Sequence, residues 1–188
     1  TPTPSYSGKL RNHMLMVPEC INECSGIRIF GRTIKSFVFS TDVATIASVN
    51  ADAVIAVYPF TPQPRIVRAV ISVADMPVFC GVGGGTTRGL RTVQLARDVE
   101  SQGAMGVVVN VPTSGLVISR MRRTIDIPIV VTVANHGTDY ARRIDDGAAI
   151  FNVAAGSATA EIVAEIRAQY PDMPIMATGG PSDESILR

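Results

Sequence analysis

From residue 37 onward, short runs of Val, Ile and Phe alternate with longer stretches in which apolar and polar positions recur at helical spacing. Short apolar runs bounded by Gly, Pro or Asp read as buried strands, and the stretches between them as helices. On this pattern strands are predicted over 37–42, 53–57, 78–82, 107–109, 129–133, 149–153 and 174–177. Helices are predicted over 43–49, 64–73, 87–101, 116–123, 139–145 and 160–168, with one more opened by Ser182 as N-cap and Asp183-Glu184 in its first turn. Pro64 suits the first turn of its helix, and Leu90, Val93, Leu95 and Val99 give the 87–101 helix a broad apolar face. Strands that are apolar on both faces and separated by helices mean a parallel sheet covered by helices. Ahead of this alternation, residues 1–26 form an irregular, proline-rich lead-in, and Gly31-Arg32 marks a hairpin turn between 27–30 and 33–39.

The alternation carries an internal repeat. Three strands are entered through Asp-x-Pro (Asp75-Met-Pro77, Asp126-Ile-Pro128, Asp172-Met-Pro174), with prolines 128−77 = 51 and 174−128 = 46 residues apart. Three interleaved strands are entered through Asp52-Ala53, Gly103-Ala104 and Gly147-Ala148, where the spacings are 104−53 = 51 and 148−104 = 44. The unit is therefore a (βα)₂ block, and blocks that close on themselves make a (β/α)8 TIM-type barrel. A doubly wound sheet shares the alternation but gives no reason for an even two-strand repeat. Seven strands are visible, and the same spacing puts the eighth beyond Arg188. The expectation is a single barrel domain over 27–188, cut before strand eight. The gap between the first and seventh strands would be filled by a continuation of the chain, by the N-terminal segment or by a neighbouring subunit, since long strand edges are rarely left bare.

Composition narrows the class. The chain has 188 residues, 46% hydrophobic content, 16 Gly and no Trp, as expected of one soluble α/β domain with a full core. A net charge of +1 argues against a nucleic-acid or acidic-membrane surface, and no apolar run is long enough for a transmembrane helix. Three cysteines, Cys20, Cys24 and Cys80, form no disulfide framework, which points to a reducing cytoplasm. Cys20-x-x-x-Cys24 is half of a zinc pattern, but the only histidines are His13 and His136, so a loop with two free thiols is the preferred reading and no metal is expected.

In a barrel the site lies at the C-terminal ends of the strands. Those ends hold Asp42, Tyr58, Cys80, Gly83, Gly84, Gly85, Arg88, Asn110, Thr132, Asn135, His136, Asn152, Thr178, Gly179 and Gly180, whereas the opposite ends hold turn residues such as Asp75 and Asp126. Gly83–Gly85 permit close backbone approach, and Arg88 would pair with an oxyanion; a flexible loop is the plainer alternative. The loop is neither a P-loop nor a dinucleotide fingerprint. For proton transfer the candidates are Asp42, Cys80, His136 and Tyr58. Desolvation at the end of a buried strand would raise the pKa of Asp42, unless it merely caps the following helix, an equal alternative; for Cys80 a core thiol is the preferred reading, and for His136 an exposed loop residue. Asn110 and Asn152 fall on even strands and, with matching parity, would both face the lumen as donors to a substrate oxygen.

Ile175-Met-Ala-Thr-Gly-Gly180 at the seventh strand resembles the glycine turn of the ribulose-phosphate-binding barrels, the group of thiamine-phosphate synthase and the 2-keto-3-deoxy-phosphogluconate aldolases. The resemblance covers the architecture of residues 37–188 and few residues of motif. It implies that Gly179 and Gly180 hold half of a phosphate site whose other half, after strand eight, is absent. The aldolases also need a Schiff-base lysine on the sixth strand. Only Lys9 and Lys35 are present, neither at a strand's C-terminal end, so class I aldolase chemistry is disfavoured. The Asp-x-Lys-x-x-Asp decarboxylase pattern is missing as well. The expectation is a cytoplasmic barrel enzyme, without cofactor, acting on a small phosphorylated or carboxylated metabolite by isomerase- or lyase-type proton transfer. A barrel that binds such a metabolite without turnover is the alternative, and a homo-oligomer is compatible with either.

Overall fold

The computed structural model describes residues 2–6, 8, 15–180 and 182–188. Lys9, His13 and most of the 1–14 lead-in lie outside the described residues. The chain opens with a 3-10 turn, Glu19–Glu23, and a hairpin of β1 (Ile27–Ile29) and β2 (Arg32–Ile34). The hairpin loop is Phe30-Gly31 rather than the expected Gly31-Arg32. Both residues take positive φ (46° and 81°), which fits the sharp twist of a two-residue turn.

Seven parallel strands follow: β3 (Phe37–Phe39), β4 (Ala53–Ala56), β5 (Val78–Gly83), β6 (Gly106–Val109), β7 (Ile129–Val133), β8 (Ile150–Val153) and β9 (Ile175–Ala177). They lie in sequence order, each bonded to its neighbours in the chain. A doubly wound sheet would reverse direction at a switch point, and this sheet does not. Between the strands run α1 (Val43–Ser48), α2 (Pro64–Val73), α3 (Leu90–Ser101), α4 (Gly115–Arg122), α5 (Tyr140–Asp146) and α6 (Thr159–Gln169), and α7 (Asp183–Leu187) follows β9. Helix α3 starts three residues later than the apolar pattern predicts. Thr87 is drawn into a bridge with Gly84, and Gly89 at φ 62° sets the helix start. The sheet curls, but β3 and β9 do not pair among the described residues, so the barrel is open along one seam.

Strand alternation sorts the core into two layers. Outward positions such as Val54, Cys80, Val107, Val131 and Phe151 pack under the helices. Inward positions, Ala53, Ile55, Phe79, Val108, Val130, Ile150 and Met176, fill the lower lumen. Ile29 and Ile34 of the hairpin join that inner cluster and plug the lumen from the strands' N-terminal end. Phe79 is fully buried and stacks edge-on with Phe37 at 5.4 Å. Its ring leaves no room on the neighbouring strand: a Cβ on Gly106 would stand 2.6 Å from it. Asp52 ties the hairpin's exit to β4, accepting from Lys35 and Ser36 N–H at 2.8 and 3.1 Å, while its own N–H donates to Ser36 Oγ at 2.9 Å.

Candidate functional site

Two residues above the apolar layer, the inward positions become polar on four adjacent strands: Asn110 after β6, Thr132 on β7, Asn152 on β8 and Thr178 after β9. The parity that buries Val108, Val130, Ile150 and Met176 in the lumen obliges the residue two further on to face the same way. Thr132 Oγ1 donates to Asn110 Oδ1 at 3.3 Å, and Thr178 Oγ1 donates to Asn152 Oδ1 at 2.6 Å. Asn152 is buried, only 2% exposed, whereas Asn110 is open to solvent. Thr178 is itself fixed, its N–H donating to Val153 O at 2.8 Å and its carbonyl accepting from Thr159 Oγ1 at 3.5 Å. Asn110 and Asn152 thus share the lumen mouth. Thr132 and Thr178 are the partners that a reading of strand ends alone does not assign to them; the i, i+2 step from Val130 and Met176 is the signal that finds them.

The proton-transfer candidates are placed elsewhere. Asp42 is exposed and is the N-cap of α1: Oδ1 accepts from Ala44 and Thr45 N–H at 2.9 and 3.4 Å, and Oδ2 from Thr45 Oγ1 at 3.3 Å. The desolvated setting expected of a general base is not what surrounds it, because α1 begins at once and needs a cap. Cys80 faces the helix layer rather than the lumen, and burial pushes its thiol up to about 12. It is a core side chain, since β5 places it on the face opposite Phe79 and Gly81. His136 lies over α6, with Nδ1 3.0 Å from Glu165 Oε2 and Nε2 3.9 Å from Glu161 Oε2, apart from the lumen quartet. Tyr58 accepts from Gln63 N–H at 2.8 Å through its hydroxyl, which anchors the loop leading into α2.

The two glycine loops sit on the same rim in different states. Gly84 N–H donates to Thr87 O at 3.2 Å, Gly83 O accepts from Asn110 N–H at 3.0 Å, and Arg88 Nε donates to Gly85 O at 2.9 Å. The Gly83–Gly85 loop is therefore folded on itself, with Gly84 pressed against Asn110, where a Cβ would collide. Gly179 and Gly180 take φ of 126° and 101° and lead toward the capping box of Ser182 and Ser185 that opens α7. Gly179 and Thr178 line a cavity of about 870 Å³ between β3 and β9, which also meets Ile55 and Met176 of the lumen; Gly83, Gly84 and Gly85 do not line it. The two loops share a rim but not a cavity. Cys20 and Cys24 border the same opening, and all three cysteines are free thiols. Among the described residues no three His, Cys, Asp or Glu side chains are grouped to hold a metal, and no helix is long and apolar enough to cross a membrane.

No protein-family model and no curated protein matches the sequence. Solved structures do match in fold. A phosphonopyruvate hydrolase solved with oxalate and Mg++ is 14% identical, with a TM-score of 0.58 over 81% of this chain and 69% of that one. A 2,3-dimethylmalate lyase of the PEP mutase/isocitrate lyase superfamily is 13% identical, with a TM-score of 0.58 over 79% and 70%. The 4-hydroxy-tetrahydrodipicolinate synthase of Methylacidiphilum fumariolicum SolV is 16% identical, with a TM-score of 0.56 over 81% and 59%. The chain spans little more than half of the dihydrodipicolinate synthase structures, 59% of that one and 55% of a monomeric variant. At these identities the likeness is one of fold. These are TIM-barrel proteins, from different groups than the one the Thr-Gly-Gly turn resembles.

Proposed function

We propose that this chain binds a small carboxylated or phosphorylated metabolite at the C-terminal rim and acts on it as a lyase-type barrel enzyme. The observation that carries the reading is the hydrogen-bonded quartet Asn110–Thr132 and Asn152–Thr178, polar groups held by partners at the mouth of an otherwise apolar lumen. Neutral amide donors aimed at a substrate oxygen stabilise the charge that develops there in enolate-type chemistry. The lyase class is supported by the fold shared with a 2,3-dimethylmalate lyase, and a small carboxylate substrate by the names of that lyase and of a phosphonopyruvate hydrolase of the same fold. A closed eight-stranded barrel belongs to the same reading, with a strand between β3 and β9 completing it. So does a reducing, cytoplasmic setting for three free thiols.

A second reading, binding without turnover, is favoured by the capping role of Asp42 and the outward face of Cys80, which take two acid–base candidates out of the lumen. Calorimetry with pyruvate, oxalate, ribose 5-phosphate and inorganic phosphate, followed by proton NMR in D₂O of any ligand that binds, separates the two. Binding with exchange of the pyruvate methyl protons or of the ribose 5-phosphate C2 proton supports turnover, and binding without exchange supports the non-catalytic form. If Asn152→Ala leaves the affinity of a bound ligand unchanged, the rim reading fails.

A further inference from the structure

Resting on that rim reading, we propose that Thr178 and Thr132 are positioning residues that turn the amide NH₂ groups of Asn152 and Asn110 into the lumen, and that the resulting pair selects a carboxylate or enolate oxygen over a phosphate. A primary amide has two edges, and the ligand meets whichever edge the protein leaves free. In both pairs the threonine hydroxyl donates to the asparagine carbonyl oxygen, so the acceptor edge is engaged and the Nδ2 edge is left over. Asn152 Nδ2 donates to no group among the described residues. Among the described residues the sealed side-chain atoms without a partner are Thr87 Oγ1, Gln102 Oε1, Thr113 Oγ1, Tyr140 hydroxyl and Asp146 Oδ2, and Asn152 Nδ2 is not one of them. Burial of all but 2% of Asn152 keeps the side chain from swinging away. Thr178 is held at its own N–H and carbonyl, so its single hydroxyl proton has a fixed target.

The spacing and charge of the pair define what it takes. Asn110 directly follows β6 and Asn152 lies on β8, with β7 between them, so their backbones stand roughly two strand spacings of about 4.8 Å apart on the concave face. The residues at this level of the lumen on β5 to β9, from Gly81 to Thr178, carry no charge. A phosphate dianion placed there would give up its hydration for neutral donors alone, whereas a single negative charge spread over a planar carboxylate is served by two N–H groups. The site is thus matched to the charge of a carboxylate, and the Gly179-Gly180 turn is not required to hold phosphate.

The test uses uniformly ¹⁵N-labelled protein titrated with pyruvate, a single carboxylate, and, separately, with inorganic phosphate, while the side-chain amide signals of Asn110 and Asn152 are followed. Thr178→Val, Thr178→Ser and Asn152→Leu are titrated in parallel. Pyruvate is expected to shift both side-chain signals and phosphate to leave them in place. Thr178→Val should weaken pyruvate about tenfold, the size expected for a lost hydrogen bond, while Thr178→Ser, which keeps the hydroxyl, stays within about threefold. Asn152→Leu, close in shape and neutral but without the donor, should abolish binding, and it serves where Thr178→Val does not fold. If pyruvate shifts both signals and Thr178→Val binds it as the wild type does, the positioning role is overturned and the rim reading survives. If Asn152→Leu still binds pyruvate, the amide is not the donor, and the rim reading is overturned with this one. Shifts caused by phosphate instead overturn the carboxylate selectivity. If neither ligand moves either signal, the rim reading falls together with this one.

Discussion

The lower and upper levels of the lumen are built from the same strands, one dipeptide step apart. Val108, Val130, Ile150 and Met176 lie below, and Asn110, Thr132, Asn152 and Thr178 above. The lower level is sealed by Phe79 and by the hairpin residues Ile29 and Ile34, so its contribution is burial. The upper level gives up that burial for hydrogen bonds that leave donors free. Because strand side chains repeat every two residues, about 6.6 Å of rise separates a layer made for stability from one suited to binding. Both levels stand on the strands or directly after them, so no long loop is needed to hold the polar groups.

The sharpest way to break this contrast is at the bottom. Phe79→Ala removes the largest fully buried side chain of the lower lumen, and a loss of about 3–5 kcal/mol is expected in urea unfolding. A small loss would mean that the lower level is not the stabilising one. Gly106→Ala pushes a methyl against the Phe79 ring and should cost about 1–3 kcal/mol by overpacking. Combined with Phe79→Leu the cost should shrink, since the two positions share one volume.

Cys80 probes the face beneath the helices. Its thiol is raised from 9.0 to about 12, so the unfolded chain loses that proton first as pH rises. Stability from this group is intact below pH 9 and declines between pH 9 and about 12, by up to about 1.4 kcal/mol per pH unit. Between pH 8 and pH 10.5 the unfolding midpoint should therefore fall further in the wild type than in Cys80→Val; a parallel pH trend in both proteins would contradict the buried thiol. At the top, Asn152→Ala leaves the Thr178 hydroxyl without its acceptor and should cost about 1–2 kcal/mol, less than any large truncation below, while removing ligand binding at the rim. The smallest effect is expected at Asp42. Asp42→Ala should lose about 1 kcal/mol of helix capping and leave rim binding unchanged, whereas a loss of binding would return Asp42 to the site.

Most of the fold was legible because its signals are local. The Asp-x-Pro and small-residue entries fix where strands begin, and Val/Ile runs between helical stretches specify a parallel sheet whose sequential order the repeat then requires. The Phe30-Gly31 turn was off by one residue because the twist of a hairpin can place a non-glycine residue at positive φ. The site was legible only in part. Asn110 and Asn152 follow from parity, since each stands two residues beyond an inward Val or Ile. Asp42 and Cys80 also stand at strand ends, but a strand end does not say which face a side chain takes or whether a helix begins at once and needs a cap. Those are questions of register and of the next element, decided for Cys80 by the opposite face of Phe79 and for Asp42 by the immediate start of α1.

The open seam between β3 and β9 makes the sheet a line of units rather than a ring. Each strand is hydrogen-bonded only to the strands before and after it in sequence, and among the described residues no strand pairing joins the first to the last; the seam is crossed by the packing of the Glu19–Glu23 turn on α7. The lumen cluster packs across the whole sheet, but its hydrogen bonding passes only from neighbour to neighbour, so protection of the backbone is greatest in the middle and decays toward the ends. Amide exchange should accordingly be slowest in β6, which has three strands on each side, and fastest at β3 and β9. A strand bound across the seam would change the topology of cooperation itself: two fraying ends would become interior, and the array would unfold as a closed circuit in which no strand is first to leave.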